Sequence, residues 1–304
     1  MKRVQIVGIG ACVMDTLITV PRYPTEDTKL RAESSAPAGG GPVATGLVAA
    51  QKLGVQTGYI GVLSDDAGGR FLATDFEKYG VDTSCVTVQS GYRSFTSCIW
   101  LSKESTSRTC VFDRGNLPPL RLNEAQKQAI AKADVLMVDG NELEAAIEGA
   151  KIARENGVAV LYDAGGRYEG VERLLPLADY LIPSEEFALG ITGCKTAAEA
   201  AQALYERFSP KAVVVTCGKR GGVLYDGVLK EYPIYPAEVV DSNGAGDVFH
   251  GAFAAAVVMG YDHEKSCHFS SAVSGLKCTG VGARASVPSF ETVKTYMKEN
   301  GYEL

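Results

Sequence analysis

Two carboxylates separated by small residues form the stretch of this chain with the clearest chemistry. The sequence Asp241-Ser-Asn-Gly-Ala-Gly-Asp247 stands directly before an apolar run at 248–259. This pattern predicts a glycine-rich turn that enters a helix, with Asp247 in the first helical turn. A helix N-terminus carries free N–H groups and a partial positive charge, and both favour a phosphate. An acid at such an anion site indicates a base facing a hydroxyl that is phosphorylated.

Two features near the N-terminus indicate contacts with a ligand. Gly39-Gly-Gly41 stands directly before Pro42 and a helical pattern. Three glycines let a backbone approach a ligand closely, and proline suits a first helical turn, so the pattern favours a shaped site over a flexible loop. Asp15 is a lone acid in an extended apolar stretch, where aspartate is disfavoured. It is either a solvated strand-end residue or a carboxylate that accepts hydrogen bonds from substrate hydroxyls.

A third feature is a glycine-rich turn between two strand-like stretches. It reads Thr216-Cys-Gly218-Lys219-Arg-Gly221. Backbone N–H groups in such a turn can contact phosphates, and Lys219 adds a point charge. The alternative is an ordinary hairpin turn.

Two further loops carry groups suited to an anion or a cation. Arg167 follows a strand-like run, at the sheet edge where ligands bind in α/β proteins. It either clamps a phosphate or lies on the surface. The stretch 275–286 begins in a helical pattern and ends in a glycine-rich loop. This loop either connects two elements or surrounds a nucleotide or a monovalent cation with carbonyl groups.

Strand-like and helical patterns alternate over most of the chain. The runs that predict buried parallel strands are residues 4–8, 57–62, 135–138, 159–163, 180–183 and 212–216, and the helical patterns are 44–53, 69–79, 123–131, 142–156, 197–208 and 265–278. This alternation predicts a mostly parallel sheet with helices on both faces. Extended segments at 12–20, 28–38, 92–101 and 108–113, with a polar hairpin turn at 102–107, predict a small β-sheet beside it.

Composition and charge exclude several classes of protein. With 304 residues, 46% of them hydrophobic, the chain can build a full core as one large α/β domain or one domain with a small appendage. A net charge of −6 argues against nonspecific nucleic-acid binding. No signal peptide is evident, and no apolar run approaches the roughly 20 residues that a membrane span needs. We therefore expect a soluble, cytoplasmic protein that binds neither nucleic acid nor a membrane.

Common nucleotide and metal motifs are also absent from the sequence. Gly8-Ile-Gly10 lacks the third glycine of a dinucleotide fingerprint, because Val13 stands there and no helical pattern follows. No P-loop sequence is present. The eight cysteines form no C-x-x-C pair and the three histidines show no ligand spacing. We expect the cysteines to be small buried residues in a reducing compartment.

Taken together and in this order, the motifs resemble those of the ribokinase/PfkB family of carbohydrate kinases. The stretches 39–54 and 241–253 correspond to its two signatures, and the turn at 216–221 and the loop at 282–286 fall in place between and after them. The resemblance covers essentially the whole chain. It implies a ribokinase-like α/β fold in a single domain, 1–304, with a mostly parallel sheet flanked by helices. The segments at about 12–38 and 92–113 would then form a β-sheet lid.

The resemblance, with the motifs above, also implies a role for each residue set. Asp247 would be the base that faces the acceptor hydroxyl, with Gly244, Ala245 and Gly246 as the anion hole. The predicted substrate contacts are Asp15, Gly40, Gly41, Thr45 and Arg114, and the predicted ATP contacts are Thr216, Gly218, Lys219, Gly221 and Arg167. Mg²⁺ would bridge the ATP phosphates. Asp241, Asn243, Gly282 and Ser286 fall where related enzymes bind a monovalent cation such as K⁺.

The chain departs from the family pattern in two places. Thr45 stands where the first signature usually has asparagine, which alters a substrate contact. The family's Asn-x-x-Glu motif, near magnesium and phosphate, aligns with Ser184-Glu-Glu-Phe187, so Glu185 or Glu186 would have to substitute. Parts of both signatures, together with Leu276-Lys-Cys-Thr279, are similar to the sulfofructose kinase branch. No matching cation for a sulfonate stands in the 138–142 region, so that substrate is one candidate among others.

We therefore predict ATP-dependent phosphorylation of a hydroxyl on a sugar or sugar derivative, in a homodimer formed through the lid. A nucleoside kinase is one alternative, with aromatic candidates at Tyr23, Tyr92 and Phe95. A phosphosugar kinase is another, with basic candidates at Arg22, Arg31, Arg93, Arg108 and Arg114. A non-catalytic binding or scaffold protein is a third, although the complete Asp247 motif argues against it.

Overall fold

A nine-stranded sheet forms the centre of the computed structural model, which describes residues 3–105 and 107–304. Its strands are β1 (Ile6–Ile9), β4 (Thr57–Ser64), β5 (Val86–Gln89), β8 (Val135–Val138), β9 (Ala159–Ala164), β10 (Tyr180–Pro183), β11 (Ala212–Thr216), β12 (Gly222–Tyr225) and β13 (Leu229–Tyr232). Their order is β13-β12-β11-β10-β9-β8-β1-β4-β5. All neighbours pair in parallel except at the β11–β12–β13 edge, which is antiparallel.

Four other strands form a separate small sheet. They are β2 (Val13–Val20), β3 (Ser34–Gly40), β6 (Thr96–Ser102) and β7 (Ser107–Asp113), in the order β3-β2-β6-β7. The chain enters this sheet directly from β1, with no helix between β1 and β2. The rejection of a dinucleotide fingerprint at Gly8 and Gly10 is therefore correct. We refer to these four strands as the small sheet.

Helices cover both faces of the main sheet. They are α1 (Pro42–Lys52), α2 (Ala67–Tyr79), α3 (Glu124–Ala131), α4 (Leu143–Glu155), α5 (Glu185–Thr192), α6 (Ala197–Phe208), α7 (Ala245–Val258), α8 (His263–Lys277) and α9 (Phe290–Glu299). Strand residues alternate between the two layers. Val135 packs in the core layer with α1, α2, α7, α8 and α9, whereas its neighbour Leu136 packs in the layer with α3 to α6. This two-sided burial explains the continuous apolar runs of the parallel strands.

The predicted fold class is confirmed, and most element boundaries agree within a few residues. One predicted strand is shorter, because β3 begins at Ser34 and not at residue 28. The helices α5 and α9 and the strands β5 and β13 were not predicted. Each of these strands has four residues, too few to show a clear period. β6 and β7 pair as an antiparallel hairpin, but Thr106 of the predicted turn lies outside the described residues.

The cysteine prediction is correct only in part. All eight are free thiols, but only Cys12, Cys267 and Cys278 are buried, and Cys110 is exposed on β7. In the described part of the chain, no helix has the length and apolar character needed to cross a membrane.

Candidate active site

The N-terminus of α7 carries the predicted catalytic acid. Gly244 precedes the helix in the left-handed conformation, with φ +73°, and a Cβ there would stand 2.4 Å from Cβ of Ala283. Only glycine suits this turn, because other residues would be both strained and crowded. Asp247 is the third residue of α7, so its carboxylate lies beside the open end of the helix. The turn therefore brings the Asp247 carboxylate and the N-terminus of α7 together.

The first turn of α7 leaves backbone donors free. Ala245 N–H donates to Ser242 O at 3.2 Å. Within the described residues, the N–H groups of Gly246 and Asp247 have no hydrogen-bond acceptor in the protein. Free donors at a helix N-terminus form an anion site. Burial raises the pKa of Asp247, while the positive charges of His250, Arg108 and Lys277 oppose that rise.

One cavity brings together most of the predicted substrate residues. It has a volume of about 170 Å³ and is lined by Asp15, Gly40, Gly41, Arg114 and Asp247. The small sheet forms one wall, through residues of β2, β3, β6 and β7, and the α7 turn forms another. Asn141, Tyr168 and Phe95 complete the end near Arg114.

Asp15 is held rigidly at this cavity. It is 5% exposed, and its Oδ1 accepts a hydrogen bond from Ser97 Oγ at 2.6 Å. Burial raises the pKa of Asp15 to about 6, against the hydrogen bond from Ser97 and the charge of Arg284, which lower it. A Cβ on Gly40 would stand 2.0 Å from Asp15 Oδ2, so the glycine leaves the space that the carboxylate occupies.

Asp139, which the sequence analysis did not single out, organises the loops around the cavity. Its Oδ2 accepts hydrogen bonds from Ala11 N at 2.9 Å and from Val43 N at 3.2 Å. Its Oδ1 accepts from Asn141 N at 2.9 Å. The carboxylate therefore fixes the exit from β1, the start of α1 and the position of Asn141. A lone acid directly after the buried run 135–138 was the only signal in the sequence.

Arg284 is another organising residue that the sequence analysis did not single out, and it lies where β3 of the small sheet meets α2. It is 2% exposed and donates from Nη1 to Asp75 Oδ2 at 2.7 Å and from Nη2 to the Gly40 carbonyl at 2.6 Å. The guanidinium thus connects the C-terminal loop to α2 and to the glycine end of β3. Its partners lie 209 and 244 residues away in the sequence, so no local pattern indicated them.

His250 and Asp163 lie beneath the α7 turn. His250 Nδ1 is 2.6 Å from the Gly246 carbonyl oxygen and 3.2 Å from Asp163 Oδ2. His250 Nε2 is 2.9 Å from the Ile182 carbonyl oxygen. Burial raises the pKa of Asp163, and the neighbouring His250 opposes the rise. This pair anchors the carbonyl of Gly246, one residue before Asp247.

Arg114 lines the cavity beside Asn141, Tyr168 and Phe95. Its Nη2 donates to Asn141 Oδ1 at 2.8 Å. Its guanidinium carbon lies 5.9 Å from the ring centre of Phe95 and 5.4 Å from that of Tyr168. Arg114 makes no ion pair with a described carboxylate. Burial raises the pKa of the nearby Glu142, and the charge of Arg114 opposes that rise. Arg114 is the one basic side chain among the described residues that line this cavity.

The predicted ATP turn lies between β11 and β12. Thr216, Gly218, Lys219 and Gly221 belong to it, and Gly218 and Gly221 both have positive φ. The same turn borders a larger cavity of about 600 Å³ through Cys217, Arg220 and Gly222. Glu185 also lines this cavity and forms an ion pair with Arg220.

Two predicted contacts lie away from these cavities. Thr45 is within α1, fully buried, and its hydroxyl has no hydrogen-bond partner among the described residues. Arg167 is exposed, and its guanidinium packs over Gly190 in α5. Neither side chain lines a cavity that contains the other predicted contacts.

The four residues predicted to bind a monovalent cation are partly brought together. Asp241 Oδ1 accepts from Asn243 N at 2.8 Å, and its Oδ2 accepts from Gly282 N at 2.8 Å. Ser286 Oγ donates instead to the Val281 carbonyl. The buried ammonium of Lys277, to which the sequence analysis assigned no role, donates to the Asp241 carbonyl oxygen at 2.7 Å.

Comparisons with known proteins agree with this architecture. The profile of the pfkB family carbohydrate kinases matches residues 4–289. The bifunctional ribokinase/ribose-5-phosphate isomerase A of Fructilactobacillus sanfranciscensis is 27% identical over 308 residues, which are 97% of this chain and 56% of that protein. Ketohexokinase of Mus musculus is 27% identical over 290 residues, 91% of this chain and 97% of that protein. The chain thus spans about half of the first relative and nearly all of the second.

A solved structure is similar over the same length. Arabidopsis thaliana ribokinase, complexed with ribose and ATP, superposes with a TM-score of 0.86 at 26% identity, covering 98% of this chain and 99% of that one. The parallel sheet, the small sheet and the acid at an open helix N-terminus define a small-molecule kinase of ribokinase-like fold. The chain belongs to the pfkB family of carbohydrate kinases.

Proposed function

We propose that this kinase transfers the γ-phosphoryl group of ATP to a hydroxyl of a small sugar or sugar derivative. One observation carries the proposal. The Asp247 carboxylate lines the same cavity as Asp15, Gly40 and Gly41, while free N–H groups at the start of α7 lie beside it. A hydroxyl in this cavity would meet a base and an anion site together.

The proposed mechanism relies on alignment and charge. The transition state of phosphoryl transfer is largely loose, so positioning and electrostatic stabilisation dominate. Asp247 accepts the hydroxyl proton late, as the new O–P bond forms, and its raised pKa suits this role. The backbone of Gly244, Ala245 and Gly246 stabilises the charge on the transferring group, chiefly through the free N–H of Gly246.

The nucleotide would lie along the turn after β11. Thr216, Gly218, Lys219 and Gly221 would contact ATP, with the cavity of about 600 Å³ beside them large enough for a nucleotide. The related Arabidopsis structure contains ATP. Arg167 remains a predicted phosphate contact that would need to move from Gly190.

Mg²⁺ would accompany the ATP phosphates. It usually binds through one or two carboxylates together with phosphates and water. Glu185 is the candidate ligand, because it lines the nucleotide cavity whereas Glu186 is exposed, and binding would require Glu185 to leave its ion pair with Arg220. When bound, the ion would neutralise phosphate charge.

The cavity favours a small sugar over a nucleoside. Its volume of about 170 Å³ is below the roughly 300 Å³ at which pockets for larger ligands begin. Arg114 favours a derivative with an anionic group, since this cation faces the cavity without a carboxylate partner in the described part of the chain. Thr45 remains a predicted contact, because its buried hydroxyl has no partner in the part of the chain that the structure describes.

The small sheet would act as the lid and as the dimer contact. β7 is an edge strand whose residues are all exposed, among them Val111 at 68% and Phe112 at 58%. An exposed apolar edge of this kind favours pairing with a second copy. We infer a homodimer in the cytoplasm, and light scattering would give its mass.

An ADP-coupled screen tests the proposal directly. The panel contains ketoses, aldoses, sugar acids, sugar phosphates and nucleosides, with the Asp247→Ala variant as the blank. We expect ADP release above the blank with at least one sugar and none with nucleosides. Nucleosides as the only active acceptors, or ADP release that survives in Asp247→Ala, would contradict it.

A further inference from the structure

Lys277 is a fully buried lysine at the end of α8. Its side chain is 0% exposed, and Nζ donates to the Asp241 carbonyl oxygen at 2.7 Å and lies 3.9 Å from Asp241 Oδ2. The Asp241 side chain is also buried, at 1% exposure. The two side chains therefore form a buried pair with no net charge. Burial lowers the pKa of Lys277, and the Asp241 charge opposes this.

The Lys277–Asp241 pair connects two loops that border the active site. Asp241 Oδ2 accepts from Gly282 N, and the backbone N–H groups of Val240 and Asp241 donate to the Cys278 carbonyl. Asp241 Oδ1 accepts from Asn243 N, which stands directly before the Gly244 turn. The buried pair thus fixes the backbone that leads into the α7 anion site.

The residues at this loop do not fit an added monovalent cation. Asp241 is the one acid among the predicted ligands, and Lys277 already balances its charge. A second cation would be buried without its own counter-ion, which is unfavourable. Ser286, a predicted ligand, directs its hydroxyl to the Val281 carbonyl.

We propose that the Lys277 ammonium takes the place of the predicted monovalent cation, so that this kinase needs no K⁺. Lys277 is a positioning residue, because it acts through Asp241 and the 241–244 loop and contacts no reacting group. The activity part of the test rests on the proposed function, but ion binding and thermal stability can be measured without any substrate.

The first experiment uses the wild-type protein. Its melting temperature and ADP release are compared in buffers with 100 mM potassium, sodium or tetramethylammonium chloride. We expect melting temperatures within 1 °C and rates within twofold across the three salts. Crystals soaked in rubidium or thallium salt should show no anomalous peak among Asp241, Asn243, Gly282 and Ser286. A potassium-specific rise in either readout, or such a peak, would overturn the proposal.

The second experiment removes the ammonium. Lys277→Met should lower the melting temperature and the turnover number. Adding K⁺ or NH₄⁺ should restore part of both and raise the turnover number of this variant at least tenfold. Lys294→Met, at an exposed position of α9, serves as the control and should respond to no salt. A folded Lys277→Met variant with wild-type turnover in every salt would contradict the positioning role.

If Lys277→Met does not fold, the wild-type ion measurements still decide the question. If no sugar supports ADP release, the melting and rubidium results test this inference alone.

Discussion

Asp163 Oδ2 lies 3.2 Å from His250 Nδ1, and both side chains are buried below the first turn of α7. The two ring nitrogens of His250 face carbonyl oxygens, of Gly246 and of Ile182. Carbonyl oxygens only accept hydrogen bonds, so the imidazole satisfies both contacts when both nitrogens carry protons. Asp163 then supplies the counter-charge. The buried His250 ring thus links the peptide that precedes Asp247 to the end of β10.

Replacing His250 should therefore weaken catalysis more than binding. His250→Asn retains one donor group but loses the second, so the side chain can no longer hold the Gly246 and Ile182 carbonyls together. We expect kcat to fall about 10- to 100-fold, since small displacements of a catalytic group have effects of that order. The KM for ATP should stay within threefold, as measured by initial rates.

A matched histidine gives the control for this prediction. His263 pairs with Asp226 at 3.0 Å near the start of α8, away from the cavity. His263→Asn should keep wild-type kcat. Nitrogen NMR of the wild-type protein at pH 7 should show both ring nitrogens of His250 protonated. A neutral ring with a single proton would contradict the assignment.

The pH dependence of sugar binding should report Asp15. Its pKa is raised to about 6, so the carboxylate is protonated below that pH and can no longer accept two hydroxyl hydrogen bonds as an anion. The KM for the sugar should rise about tenfold per pH unit below 6. Asp15→Asn should have a high KM without this dependence, as shown by rates between pH 5 and 8. A wild-type KM that is flat across this range would contradict the role of Asp15.

The same raised pKa has a consequence for stability. The folded state binds the Asp15 proton more tightly than the unfolded chain, so Asp15 contributes less to stability as the pH rises from about 4 to 6. Asp15→Asn removes this loss. We therefore expect the difference in melting temperature, Asp15→Asn minus wild type, to be more positive at pH 8 than at pH 4.5.

The two glycines of the anion site should respond differently to alanine. Gly244 has positive φ and its Cβ would contact Ala283, so Gly244→Ala should cost about 1–3 kcal/mol of stability as well as turnover. A Cβ at Gly246 meets nothing within 4 Å. Gly246→Ala should keep its melting temperature and lower kcat, because its methyl group enters the space for the phosphoryl group. Equal melting temperatures for both variants would contradict this reading.

Arg114 should determine the preference for charged sugars. Arg114→Gln should reduce kcat/KM about 10- to 100-fold for anionic sugars, because hydrogen bonds to charged groups contribute about 1.5–3 kcal/mol. Neutral analogues of the same sugars should change little. Separate assays with carboxylated, phosphorylated and sulfonated sugars identify the anion. Arg121→Gln, at an exposed position in the same loop, is the control. An unchanged ratio between anionic and neutral sugars would exclude this role.

Local patterns in the sequence predicted the parts of the structure that depend on neighbouring residues. The Gly41–Pro42 start of α1, with Gly41 at φ +93°, and the Gly244 turn before α7 are of this kind. The parallel strands were found because burial on both faces leaves continuous apolar runs.

The sequence could not predict contacts between distant segments. Asp139 reaches Ala11 across 128 positions, and His250 reaches the Ile182 carbonyl across 68. The role of Lys277 was also hidden, because a lysine in a helical pattern normally lies on the surface. Only the fold, which brings the end of α8 next to the loop that begins at Asp241, makes Lys277 a buried partner of that residue.

The most direct test of the account is the turnover of Asp247→Asn with the best sugar from the screen. The change keeps the size of the side chain but removes the base. We predict that kcat falls about 10²- to 10⁴-fold, the usual contribution of a general base. The Kd for ATP, measured by titration calorimetry, should be unchanged. A folded Asp247→Asn variant that releases ADP at close to the wild-type rate would contradict the central claim.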